Sequence, residues 1–156
     1  MRYNSVYGFV FAGFLVAVNT ACSHQQLPLE TVFNSSNCAI KEPALRSINS
    51  AAELDKLLRA TPKNFADAEV TAPVIDFDVT LLVLFALGQK PTSGYAIELL
   101  SQQATLKERI LTLPLRVREP PAGSLQAQLI TSPCSIYSLP KIDYSEIVIS
   151  DNLTRL

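Results

Sequence analysis

The sequence predicts an α+β, mainly β chain: a small antiparallel β-sandwich or open barrel with one packing helix. A capped leucine pattern of helical period stands early, at residues 50–61. From Ala72 onward, short apolar runs alternate with turn segments rich in Gly and Pro. Helix first and a meander of short strands afterwards favour antiparallel pairing over a parallel sheet with crossover helices.

The composition narrows the function classes. The chain has 156 residues, 48% hydrophobic and 17% charged, with 13 Lys+Arg against 14 Asp+Glu and a formal net charge of −1. A near-neutral chain lacks the basic footprint of a nucleic-acid binder, so no nucleic-acid partner is expected. This hydrophobic content is not that of a disordered chain. The length suffices for one domain with its own core.

The first element is a targeting segment. Arg2 is the only charge before Glu30, and Val6 to Val18 is almost wholly apolar. That run is shorter than the roughly 20 residues of a membrane span and falls within the roughly 7–15 of a signal-peptide core. It ends in Asn19-Thr20-Ala21-Cys22. These residues resemble the signal peptides of bacterial lipoproteins, with a plain secretory signal as the alternative. The resemblance implies that residues 1–21 are removed and that Cys22 becomes the acylated first residue, bearing diacylglycerol and palmitate. It implies a lipid-anchored protein of the cell envelope. Ser23 rather than Asp after the cysteine implies the outer membrane, facing the periplasm.

Residues 22–28 read as a polar tether ending at Pro28, and 29–156 as a single β-rich domain. The single histidine, His24, lies in that tether, away from any expected pocket. Histidine-dependent triads and histidine zinc sites are thereby disfavoured, and no cysteine cluster replaces them. With Cys22 acylated, Cys38 and Cys134 remain. A disulfide between them is favoured over two buried thiols, because an odd cysteine count in an oxidising compartment strands a thiol. Such a bridge would stabilise the fold by roughly 4–5 kcal/mol in the chain-entropy description.

The helix comes next. Ser50-Ala51-Ala52-Glu53 matches a capping box, Leu54, Leu57 and Leu58 give the i, i+3, i+4 stripe, and Thr61-Pro62 ends it. Val79 to Leu87 is apolar at nearly every position, which predicts a central strand covered on both faces. Tyr95 to Leu100 follows as a second strand. Ile110 to Val117 alternates, with Leu111, Leu113, Leu115 and Val117 on one face and Pro114 marking an edge or bulge. Glu119 to Gly123 is a turn, and Gln126 to Thr131, Ser135 to Leu139 and Glu146 to Ser150 complete the predicted strands.

The segment between the first two of these strands, Gly88-Gln89-Lys90-Pro91-Thr92-Ser93-Gly94-Tyr95, carries the strongest functional signal. Gly88 and Gly94 permit positive φ at its ends and Pro91 fixes φ between them. Thr92 and Ser93 can bond nearby backbone amides, and Tyr95 offers an aromatic body with a polar tip. The segment reads as a rigid, exposed protein-binding loop comprising Gly88, Lys90, Pro91, Thr92, Ser93, Gly94 and Tyr95. A well-made hairpin turn is the plainer reading.

Pro73-Val74-Ile75-Asp76-Phe77, the apolar strand, G-x-K-P-T-x-G-Y at 88–95, Pro121-Ala122-Gly123 and Thr131-Ser132-Pro133 follow one another in this order over roughly Ala72 to Ile149. This succession resembles the C-terminal domain of the PrcB family, lipoprotein subunits associated with a secreted bacterial protease complex. The resemblance implies a non-enzymatic subunit that binds another envelope or secreted protein, a protease among the candidates. The loop is also similar to the N-P-T-T-G-Y loop of chagasin-like inhibitors of papain-type proteases, with Lys90 and Ser93 replacing the asparagine and second threonine.

Other chemistry has weak support. Asp76 and Asp78 share one face of a strand entrance but lack a cleft. Lys90 and Ser93 could pair only if the lysine were desolvated, which a turn does not provide. No phosphate-binding or metal-ligand motif is present in the sequence, so no cofactor, no metal and no enzymatic activity are expected.

Overall fold

Sheet pairing in the computed structural model, which describes residues 24–62 and 72–151, builds a mainly β fold with one short helix and no closed barrel among those residues. Residues 1–21, expected from the sequence to be a signal peptide, and Cys22 lie outside the described residues. Strands β1 (His24–Pro28), β2 (Glu30–Ser35) and β3 (Ala44–Ile48) precede helix α1 (Ala51–Ala60). Seven strands follow it: β4 (Thr80–Ala86), β5 (Ala96–Leu99), β6 (Gln103–Lys107), β7 (Ile110–Leu113), β8 (Leu115–Arg118), β9 (Cys134–Pro140) and β10 (Glu146–Ile149). They assemble as β2-β9-β4-β3, β1-β6-β7-β10 and a β5-β8 ribbon.

The central strand is β4, between β9 and β3 and antiparallel to both. Its successive side chains point to opposite faces, and each face meets its own core. Leu81, Val83 and Phe85 join Leu27, Leu111, Leu113, Leu115, Tyr137 and Leu139 beneath the other strands. Leu82, Leu84 and Ala86 join Ile48, Leu54, Leu58 and Ile136 beneath the helix. The unbroken apolar run of β4 is therefore the sequence of a strand covered by a helix on one side and by strands on the other.

Helix α1 begins and ends where its caps dictate. The Ser50 hydroxyl accepts from the Glu53 amide at 3.2 Å, and the Glu53 carboxylate accepts from the Asn49 amide at 3.1 Å. That carboxylate also pairs with Arg46 of β3, tying the helix start to the sheet. The Asn49 amide bond, then Arg46, hold the Glu53 carboxyl below the usual carboxylate range. At the other end the Thr61 amide donates to the Leu58 carbonyl, and Pro62 follows.

Several expectations require correction. Residues 24–28 are a paired strand, not a tether: His24 sits opposite Lys107 and Pro28 opposite Gln103. Only Leu27 of β1 is buried, so its sequence carries almost no apolar alternation. Gln126 to Thr131 forms no strand, because its backbone bonds go to the neighbouring loop. Ile110 to Val117 divides at Pro114 into β7, which pairs β6, and β8, which pairs β5. One pair departs from the antiparallel pattern: β10 runs parallel to β7.

Candidate functional site

The chain leaves β4 through Leu87, whose amide donates to the Pro133 carbonyl at 2.9 Å, and turns at Gly88 with φ +70°. A Cβ at Gly88 would lie 2.8 Å from the Pro43 nitrogen and 2.9 Å from the Lys41 carbonyl oxygen, so backbone contact demands glycine here. The next amide, Gln89, donates to that same Lys41 carbonyl at 2.9 Å.

Beyond this point the loop lies on the segment 126–131. Lys90 and Thr131 exchange both backbone bonds, at 2.8 and 3.0 Å. The Thr131 hydroxyl donates to the Thr92 carbonyl at 3.1 Å. The Ser93 amide donates to the Ala127 carbonyl, while the Ser93 hydroxyl accepts from the Ala127 amide at 3.2 Å and donates to the Gln126 side-chain oxygen at 3.4 Å. Gly94, at φ +95°, is closed in by Gln126 and Pro120. The Lys90 ammonium stands 5.4 Å from the centroid of the Tyr95 ring, a cation–π contact across the mouth of the loop. Tyr95 itself packs partly onto the core beneath β4.

Thr131-Ser132-Pro133 is the hub of this region. Thr131 holds the loop, and Pro133 receives the Leu87 amide. Ser132 is buried; its backbone exchanges bonds with Ser36 and Cys38, and its hydroxyl donates to the Ile40 carbonyl and accepts from the Ile40 amide. Immediately after it, Cys134 is disulfide-bonded to Cys38, with Cα atoms 6.0 Å apart. Both cysteines are buried in the core beneath the helix. The favoured pairing of these two cysteines is the one the structure contains, and it clamps the start of β9, directly after the hub.

Residues 81–140 match the family model described as PrcB C-terminal. This segment is a PrcB-type C-terminal domain. No curated protein and no solved structure matches the chain. The match is consistent with a subunit of a protease complex. The PrcB-type segment runs from β4 to β9 and so contains the loop, the Pro121 turn and the hub. The outer parts of the sequence resemblance, 72–80 and 141–149, lie beyond it.

The structure brings Gly88, Lys90, Pro91, Thr92, Ser93, Gly94 and Tyr95 into one turn, as the sequence implies. It is less exposed than expected: Gln89 and Pro91 project into solvent, Gly88 is buried, and the rest are half-buried. Sequence reasoning missed the second half of the surface. Leu125, Leu129 and Ile130 are 101%, 62% and 64% exposed. Gln126 to Thr131 reads as a strand in the sequence, and nothing in its residue types says that its partner is a loop. The available signal was its position between the Pro121 turn and Pro133, which leaves little room for a ladder.

Residues weighed for catalysis have other roles. The Asp76 carboxylate accepts from the Asp78 amide at 2.9 Å, closing the turn that feeds β4. The Lys90 ammonium faces Tyr95, whereas the Ser93 hydroxyl bonds Gln126 and Ala127. On β5, the Arg116 hydrogen bond holds Glu98 below the usual carboxylate range, with Arg118 adding to the cluster. Among the described residues, no three His, Cys, Asp or Glu side chains group as a metal site.

Proposed function

We propose that this chain is a non-enzymatic, membrane-anchored lipoprotein of the cell envelope whose PrcB-type domain binds protein, assembling or stabilising an extracytoplasmic protease complex. The observation that carries the reading is a two-part surface: the braced loop 88–95, with its Lys90–Tyr95 contact, beside the exposed Leu125, Leu129 and Ile130. Apolar side chains held in solvent on a hydrogen-bonded frame suit a preorganised protein contact, because little loop entropy is lost when a partner docks.

The bracing also weighs against an inhibitory wedge of the chagasin type. Lys90, Thr92 and Ser93 are bonded sideways to 126–131, so the loop does not stand clear of the domain as a segment inserted into a cleft would. Affinity purification from detergent-solubilised membranes tests the proposal. The wild-type chain is expected to recover a protease-complex component. Leu129→Ser with Ile130→Ser, both exposed and so tolerated by the fold, should reduce that recovery at least several-fold. Unchanged recovery would remove this surface from the function.

A further inference from the structure

Strand β1 starts at His24, directly opposite Lys107 of β6, and His24 is two residues after Cys22 in the sequence. Two residues of extended chain reach at most about 7 Å. Resting on the lipid-anchor reading of Cys22, we infer that acylation seats the His24 end of this sheet on the phospholipid headgroups and turns the 88–95 loop away from them.

Strand direction places the two features at opposite ends. At the His24 end, β6 and β7 meet in a hairpin turn whose central residues, Glu108 and Arg109, have φ of +51° and +66°. Lys107, Glu108, Arg109 and Ile110 form its exposed tip, with Glu146 opposite Ile110 and Asp143 paired to Arg109 at 3.1 Å. From Ile110 the chain runs through Pro114 along β8 to Arg118, a path of up to about 26 Å. Arg118 pairs Ala96, the residue after Tyr95. A second path agrees: β1 continues through Leu29 into β2, which ends with Ser35 opposite Cys134, beside the hub that holds the loop.

The chemistry of the tip fits a headgroup layer. Lys107 and Arg109 stand among Glu108, Asp143 and Glu146, a mixture of both signs that matches zwitterionic phosphocholine, and Ile110 adds a partly exposed apolar side chain. With only Ser23 between Cys22 and strand β1 in the sequence, the anchor sets an orientation as well as an attachment. The protein-binding surface then faces the aqueous compartment.

The chain contains no tryptophan, so a single introduced one is an unobstructed reporter. Full-length protein carrying Lys107→Trp, Ile110→Trp or Leu125→Trp is reconstituted into phosphatidylcholine vesicles with and without nitroxide-headgroup lipid. Lys107→Trp and Ile110→Trp should lose most of their fluorescence to the nitroxide, and Leu125→Trp should keep nearly all of its own. Circular dichroism and vesicle flotation are read on the same samples, with intact-mass measurement of the N-terminus. Equal quenching at both ends, or quenching confined to position 125, in an acylated, floating protein overturns the orientation alone. A chain that is neither acylated nor floated overturns the anchor reading, and the orientation falls with it.

Discussion

Gly88 and Gly94 both take positive φ in the same loop, yet they make different demands. At Gly88 an added Cβ meets backbone atoms of Lys41 and Pro43, which cannot move without disturbing β3. At Gly94 the nearest atom, at 2.6 Å, is the Gln126 side-chain oxygen, which can swing aside. Gly88→Ala should therefore cost more stability than Gly94→Ala, with strain of about 1–3 kcal/mol at each site and a backbone clash added at the first. Urea denaturation of the two variants checks the order. Glu53 predicts a pH dependence. Its folded pKa is depressed by the Asn49 amide and Arg46, so its stabilising contribution is present above the ordinary carboxylate pKa and is lost as pH falls through the folded value. The stability difference between wild type and Glu53→Gln should be largest near neutrality. It should shrink as the pH falls below the ordinary carboxylate pKa and on through the depressed folded value, beneath which both side chains are neutral. A difference constant across that range would contradict the assignment.

At the level of elements, legibility followed burial. β4 was readable because every residue from Leu81 to Ala86 is buried, one face under α1 and the other under the remaining strands. α1 was readable because Ser50, Glu53 and Pro62 mark its ends chemically. β1 and β6 were hidden for the opposite reason: each buries one residue, Leu27 and Ala104, and exposes several polar ones, so no period-two signal survives. The segment Gln126 to Thr131 misled because its residue types suit a strand while its backbone bonds serve a loop. The loop residues were legible as a turn, but the apolar surface beside them depends on a contact across more than thirty positions that local patterning does not encode. The disulfide belongs to this scale too, since it joins the approach to β3 with the start of β9 across a separation of 96 residues. Replacing Cys38 and Cys134 by Ala should lower unfolding free energy by about 2–5 kcal/mol. Hydrogen exchange should rise at Leu87 and Lys90 as the hub loosens, and unchanged protection there would separate the bridge from the loop.

Across the whole molecule the arrangement has a polarity. A helix covers one face of the β2-β9-β4-β3 sheet, the remaining strands cover the other, and the PrcB-type segment supplies the central strands together with the loop surface at one end. The proposed scaffold role requires such a rigid frame, with its contact residues clear of the proposed anchor. An inhibitor would instead block a purified papain-type enzyme at stoichiometric concentration. Site-specific photocrosslinking in native membranes separates these outcomes most directly. A photoreactive residue is placed at Leu129 or Pro91 on the proposed surface, and at Lys56 on the exposed side of α1 as the control. The account predicts that Leu129 and Pro91 crosslink to the same protease-complex component while Lys56 does not. Crosslinking from Lys56 with none from Leu129 and Pro91 would contradict it.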